Sequence, residues 1–209
     1  MTVSVIIPTY YRNDVLVERA LASVLRQTDR DIEVLIVADG MAHQDAAELG
    51  YIIYRQQEHT DIPLRFWNIR RPTYPEDPGQ VWCVQGTDAR NFGLDHAQGE
   101  WVAPLDDDDE WTDDHIEVLL DAVTARGVDF AYGKSVTPWG QWYGHWPPSG
   151  MNFTDGSQLY RHDMGYRYDW GCLDRGLPSD ADLWERMITG GVTFTFIDRL
   201  VHRYFPAER

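Results

Sequence analysis

The chain has 209 residues, 43% apolar and 25% charged, enough for one domain whose core needs no covalent staples. Eighteen basic residues against 34 acidic ones leave a net charge of −16, which counts against general nucleic-acid or membrane-surface binding. Two cysteines are too few for a disulfide framework, and the apolar run Val3 to Pro8 is too short for a signal core or a membrane span, so a cytoplasmic protein is expected.

Val3 to Pro8 predicts a strand buried on both faces. Asn13 or Asp14 can cap a helix to about Arg26, with Leu16, Ala20 and Val24 beside Val17, Leu21 and Leu25 at helical spacing. Ile32 to Ala38 is a second buried strand, ended by Asp39-Gly40. A helix is expected from Ala46 to about Gln57, and a strand from Leu64 to Ile69. Thr87 or Asp88 can cap a helix to Ala97, with Gly99 placed to end it. Trp101 to Leu105 is a fourth strand, followed by a helix capped at Asp113 or Asp114 and a strand from Val128 to Tyr132. This alternation predicts a parallel-rich sheet with helices on both faces. Residues 138–176 differ: Trp139, Trp142, Trp146 and Trp170 stand among glycine, proline and tyrosine, where loops with short strands or a lid are expected. Ala181 to Thr189 reads as helical, and Val192 to Ile197 and Leu200 to Tyr204 as closing strands.

The most informative segment is Leu105-Asp106-Asp107-Asp108-Asp109-Glu110-Trp111. Adjacent carboxylates repel unless a cation sits among them, and Mg2+ or Mn2+ prefers such oxygen ligands. The run also follows a strand, and open α/β sheets bind ligands at the carboxyl ends of their strands. A solvated acidic loop is the competing reading. Asp39-Gly40 and Pro8-Thr9-Tyr10 end two further strands, where an ordinary turn and a packed tyrosine compete with a carboxylate and a stacking ring for a ligand. Arg70, Arg71 and Arg90 are candidate diphosphate partners, with Asn91 next to the last of them. Asp180 and Asp182 either cap a helix or supply a general base. The four tryptophans form either a platform for an acceptor sugar or a small core beneath long loops.

Taken in order, these segments resemble the family 2 glycosyltransferases of the GT-A fold. The resemblance rests on Val3-Ser4-Val5-Ile6-Ile7-Pro8-Thr9-Tyr10, Val37-Ala38-Asp39-Gly40, Ala89-Arg90-Asn91 with Gly93, Gly99-Glu100 leading to the acidic run, and Ser179-Asp180-Ala181-Asp182-Leu183-Trp184. It implies an α/β fold with a mostly parallel central sheet, residues 1–110 binding a nucleotide sugar and 111–209 an acceptor. Asp39, Pro8 and Tyr10 would form the base pocket, and Arg90, Asn91, Asp106 and Asp107 would complete the donor site. Asp108, with Asp106, would ligate Mn2+ or Mg2+, and His202 is the nearest candidate for a further ligand. Asp180 falls at the position of the base. The sequence departs at Ala38 and Ser179, where many relatives carry an acid.

The expected activity is metal-dependent, inverting transfer from a nucleotide sugar, a UDP-sugar first, to a hydroxyl of a saccharide, lipid-linked sugar, protein or modified base. A sugar-nucleotide nucleotidyltransferase is one alternative, although Pro8-Thr9-Tyr10-Tyr11-Arg12 lacks the glycine-rich basic loop such enzymes carry after the first strand. A non-catalytic carbohydrate- or nucleotide-sugar-binding module is the other.

Overall fold

The computed structural model describes residues 2–206. Strand β1 (Val3–Thr9) is buried along its whole length. Helix α1 (Asn13–Val15) widens into a π-helical stretch, Leu16–Leu21, and continues as α2 (Ala22–Leu25). Next come β2 (Ile32–Asp39), α3 (His43–Gln57) and β3 (Leu64–Ile69). Helices α4 (Pro78–Val84) and α5 (Thr87–His96) lead to β4 (Trp101–Pro104). A two-residue strand, β5 (Glu110–Trp111), precedes α6 (His115–Arg126), β6 (Phe130–Val136) and β7 (Trp142–Tyr143). The chain closes through β8 (Gln158–Arg161), α7 (Cys172–Arg175), α8 (Ser179–Thr189) and β9 (Phe194–Arg203).

One sheet contains all these strands, in the order β3-β2-β1-β4-β8-β6-β9-β5 with β7 paired to β6. Strands β3, β2, β1 and β4 are parallel, so their carboxyl ends share one edge. Beyond β4 the pairing is mixed: β8 runs antiparallel to β4 and β6, while β9 is parallel to β6. Side chains alternate across the strands, and the two cores follow that period. Val3, Val5 and Ile7 join Leu16, Leu21, Leu49 and Leu119 on one face. Ile6, Val102, Phe130 and Tyr132 join Leu94, Leu183 and Trp184 on the other.

The expected elements of the first half are present within a few residues. Three details differ. The helix expected at Thr87 or Asp88 is entered through Gly86, in the left-handed region at φ 75°, with no side-chain cap. The two closing strands form the single strand β9, which shifts register against β6. Helix α4 lies in a segment of Pro, Gly and Gln for which no element was expected; Asp77 caps it by accepting from the Gln80 amide at 2.9 Å, with Pro78 as its first residue. Among the described residues no helix is long and apolar enough to cross a membrane.

His115, at the start of α6, is fully buried, its ring stacked on Trp111 at 4.0 Å. Burial lowers its pKa from 6.5 to about 3. The unfolded chain therefore takes up a proton near pH 6.5 that the folded chain refuses, so this contribution to stability is present above pH 6.5 and is lost as pH falls towards 3. Urea unfolding of wild type and His115→Phe at pH 7 and pH 5 is expected to show wild type losing about 2 kcal/mol more than the variant.

Candidate active site

The shared carboxyl edge of the parallel strands opens into a cavity of about 220 Å³. Pro8, Thr9 and Tyr10 come from the end of β1, Asp39 from the end of β2, and Asp106, Asp107 and Asp108 from the turn after β4. Arg90 reaches in from α5, and Tyr204, Phe205 and Pro206 return from the end of β9. Seven of the residues expected to bind donor or metal thus meet in one place: Pro8, Tyr10, Asp39, Arg90, Asp106, Asp107 and Asp108.

Asp39 is 4% exposed, and burial raises its pKa above the ordinary carboxylate range. Its Oδ2 accepts from the Tyr74 hydroxyl and from Arg71 Nη1 at 3.3 Å. Its Oδ1 is buried with no hydrogen-bond partner. An unpaired buried acceptor is costly. Arg71 lies over the Tyr10 ring at 3.7 Å and the Tyr74 ring at 4.7 Å, so one guanidinium ties the ends of two strands to the loop after β3. Gly40, at φ 71°, permits that approach: a Cβ there would stand 2.2 Å from that of Arg71. Sequence reasoning noted Arg71 only as a phosphate partner. Its register beside Asp39 depends on how β2 pairs with β3.

The acidic turn is crossed by cations and hydroxyls. Leu105 N donates to Ile6 O at 3.0 Å, which carries the chain to the end of β1 before it turns. Asp107 Oδ2 accepts from Thr9 Oγ1 at 2.7 Å and Tyr10 N at 3.3 Å, so this carboxylate pins the tip of β1 to the turn. Arg12 faces Asp107 Oδ1 at 3.4 Å and pairs with Asp108 Oδ2. Asp106 pairs with Arg90, whose Nε donates to Asp155 Oδ2 at 3.0 Å. Asp155 is buried and accepts from Tyr168 OH at 3.0 Å and Gln158 Nε2 at 2.5 Å. Burial, then the neighbouring carboxylates, push Asp108 up to about 7. Burial raises Asp107 to about 6 against the pull of Thr9 and Arg12, and Asp155 to about 7 against that of Arg90.

Three expected residues lie off the cavity wall. Asn91 spends its amide on the backbone of Tyr168, donating to O at 2.9 Å and accepting from N at 3.0 Å, so it clamps that segment. His202 is fully buried behind the turn, its Nδ1 3.0 Å from both Thr154 Oγ1 and Ser135 Oγ. Its Nε2 is 3.0 Å from Asp109 Oδ2, close enough for an ion pair, yet makes no aligned hydrogen bond. Gly156 makes room for this ring, since a Cβ there would lie 2.3 Å from Nε2. Asp180, the second residue of α8, accepts from Ala181 N at 2.8 Å and feels the charges of Arg90 and Asp106. Burial raises its pKa.

The tryptophans separate. Trp139, Trp142 and Trp146 are 64%, 56% and 57% exposed, which excludes a core beneath loops for these three. Trp170 instead donates to Asp88 Oδ1 at 2.8 Å and packs 5.5 Å from Tyr74, bracing the partner of Asp39. Among the described residues, no three His, Cys, Asp or Glu side chains form a ready-made metal cage. The crowded carboxylates fit a dication all the same, since Asp106 and Asp108 face the cavity and are balanced only by arginines.

Residues 4–58 and 85–177 match Glycosyl transferase family 2. The succinoglycan biosynthesis protein ExoW of Rhizobium meliloti is 34% identical over 144 residues, covering 68% of this chain and 40% of ExoW. The chain thus spans less than half the length of that relative. Among solved structures, residues 1–349 of S. aureus TarS in complex with UDP align with a TM-score of 0.70 at 18% identity, over 98% of this chain and 60% of that one. The mannosyltransferase PcManGT of Pyrobaculum calidifontis, in complex with GDP-Man and Mn2+, aligns with a TM-score of 0.65 at 15% identity, over 97% of this chain and 56% of that one. The fold is the GT-A fold these structures share, and with the match extending over most of its length the chain belongs to glycosyl transferase family 2.

Proposed function

We propose that this chain is a metal-dependent, inverting glycosyltransferase that moves a sugar from a nucleoside-diphosphate donor, UDP first, to an acceptor hydroxyl. The observation that carries the reading is the unpartnered, buried Asp39 Oδ1 in the same cavity as the Asp106–Asp108 turn. The cavity is lined by Asp39, whose Oδ1 is buried and unpaired, and by carboxylates crowded enough to need a cation. That the TarS structure holds UDP and the PcManGT structure GDP-Man with Mn2+ supports a donor of this class.

The base preference follows from counting donors. Uracil and thymine present one imide N–H, which a single free oxygen can accept. Guanine presents two adjacent N–H donors, and the second oxygen of Asp39 is already taken by Tyr74 and Arg71. Tyr10, 40% exposed on the cavity wall, offers its ring for stacking. Asp106 and Asp108 would hold Mn2+ or Mg2+. His202 Nε2, which lies behind the turn 3.0 Å from Asp109 Oδ2, would be the further donor. A dication so held would neutralise the negative charge that grows on the departing diphosphate.

The chain's own residues supply the rest. Arg90, locked between Asp106 and Asp155, fixes the direction of the Asp106 carboxylate. Asp107 keeps the β1 tip against the turn. Asp180 accepts the acceptor hydroxyl proton as oxygen attacks the anomeric carbon. The new C–O bond forms on the face opposite the breaking bond to phosphate, so the anomeric centre inverts and no covalent intermediate is needed. Burial raises the Asp180 pKa and with it the basicity of its carboxylate. Residues 1–110 supply most of the donor site and residues 111–209 the base and the acceptor side, where the exposed Trp139, Trp142 and Trp146 present indole faces to sugar rings.

Calorimetry of UDP, GDP and dTDP, each with and without Mn2+, tests the reading: UDP is expected to bind with Mn2+, and binding of none of the three would end it. Asp39→Asn is expected to weaken UDP binding by about tenfold or more. In Asp180→Asn, UDP binding is expected to persist while kcat falls by about 10²–10⁴-fold; transfer at the wild-type rate would remove Asp180 from the base role. Because Asp108 titrates near 7, a proton competes with Mn2+ there. The Mn2+ affinity is therefore expected to weaken by up to about tenfold per unit as pH falls below 7 and to level off above it.

A further inference from the structure

Arg12 stands where a cation for the acidic turn is needed. It faces Asp107 and Asp108 together, yet its side chain is 41% exposed, against 10% for Arg90. Arg90 is locked on both sides by Asp106 and Asp155 and has nowhere to go. Arg12 has only the turn on one side and solvent on the other. Its position is set by a backbone feature. Tyr11, just before it, has φ 55°, the one non-glycine residue with positive φ among those described. The Tyr11 hydroxyl accepts from Ala42 N at 2.8 Å, which holds that conformation. Arg19 reaches the same turn but donates to the backbone O of Asp108 at 2.6 Å, so it steadies the loop without engaging a carboxylate. Asp108 is thus neutralised by a single movable monocation.

We propose that Arg12 is a placeholder cation: it occupies Asp108 while the protein is metal-free, must be displaced before a dication reaches that carboxylate, and then turns to the diphosphate of the donor. The inference rests on the reading of Asp108 as a metal ligand. Its consequence is cooperativity. A dication arriving alone breaks the Arg12–Asp108 pair and leaves the guanidinium in water. With a diphosphate in the cavity that Arg12 lines, the released guanidinium gains a new anionic partner, and the loss is offset. Metal and nucleotide then strengthen each other's binding by the same factor, as linkage requires.

The test is calorimetric titration of Mn2+ into the whole chain and into Arg12→Met, each with and without UDP. Without UDP, the variant is expected to bind Mn2+ about tenfold more tightly than wild type, and the enhancement that UDP gives is expected to shrink by a similar factor. Arg12→Lys, which keeps the charge, is expected to stay close to wild type, and Arg12→Gln serves if the Met variant does not fold. Equal Mn2+ affinity of wild type and the uncharged variants without UDP, or an undiminished UDP enhancement, overturns the placeholder role. Absence of Mn2+ binding in every protein even with UDP is a different result: it removes the metal from Asp108 and the placeholder with it.

Discussion

The cavity depends on negative charge held at close quarters in a partly dry place. Asp39, Asp107, Asp108, Asp155 and Asp180 all have pKa values raised by burial. Such a group of carboxylates persists only because cations and hydroxyls are interleaved with it. Arg71 holds Asp39, Arg90 joins Asp106 to Asp155, and Arg12 bridges Asp107 and Asp108. These pairs differ in permanence. The Arg90–Asp155 link is almost dry and keeps the framework in place. The Arg12 link is open to water, its side chain 41% exposed.

The sheet explains why these groups meet. Parallel pairing of β2, β1 and β4 aligns their carboxyl ends, so Asp39, Pro8–Tyr10 and the acidic turn emerge side by side from segments far apart in sequence. The mixed half supplies what the parallel half lacks. Strand β8 inserts between β4 and β6, which brings the preceding Asp155 under Arg90. Strand β9 pairs with both β6 and β5, and its exit delivers Tyr204 to Pro206 to the cavity wall. Phe205 N donates to Asp109 Oδ1 at 2.7 Å, and the Arg19 guanidinium lies 3.9 Å from the Phe205 ring. The acidic turn is thereby tied to the segment that follows β9.

The amino-acid order by itself determined the period-two apolar strands, the helices between them, and the polar tips at Pro8–Tyr10, Asp39 and Asp106–Asp108. Burial and periodicity are local properties, so these could be read from single segments. Tertiary structure alone decided which arginine answers which carboxylate. Arg71 meets Asp39 through the register of β3, Asp155 meets Arg90 across 65 residues, and His202 lies behind Asp109 because Gly156 leaves space for its ring. It also separated Trp170, packed near Tyr74, from the three exposed tryptophans with which composition had grouped it. Ion pairing and burial are set by distances between segments remote in the chain, and no spacing within one segment encodes those distances.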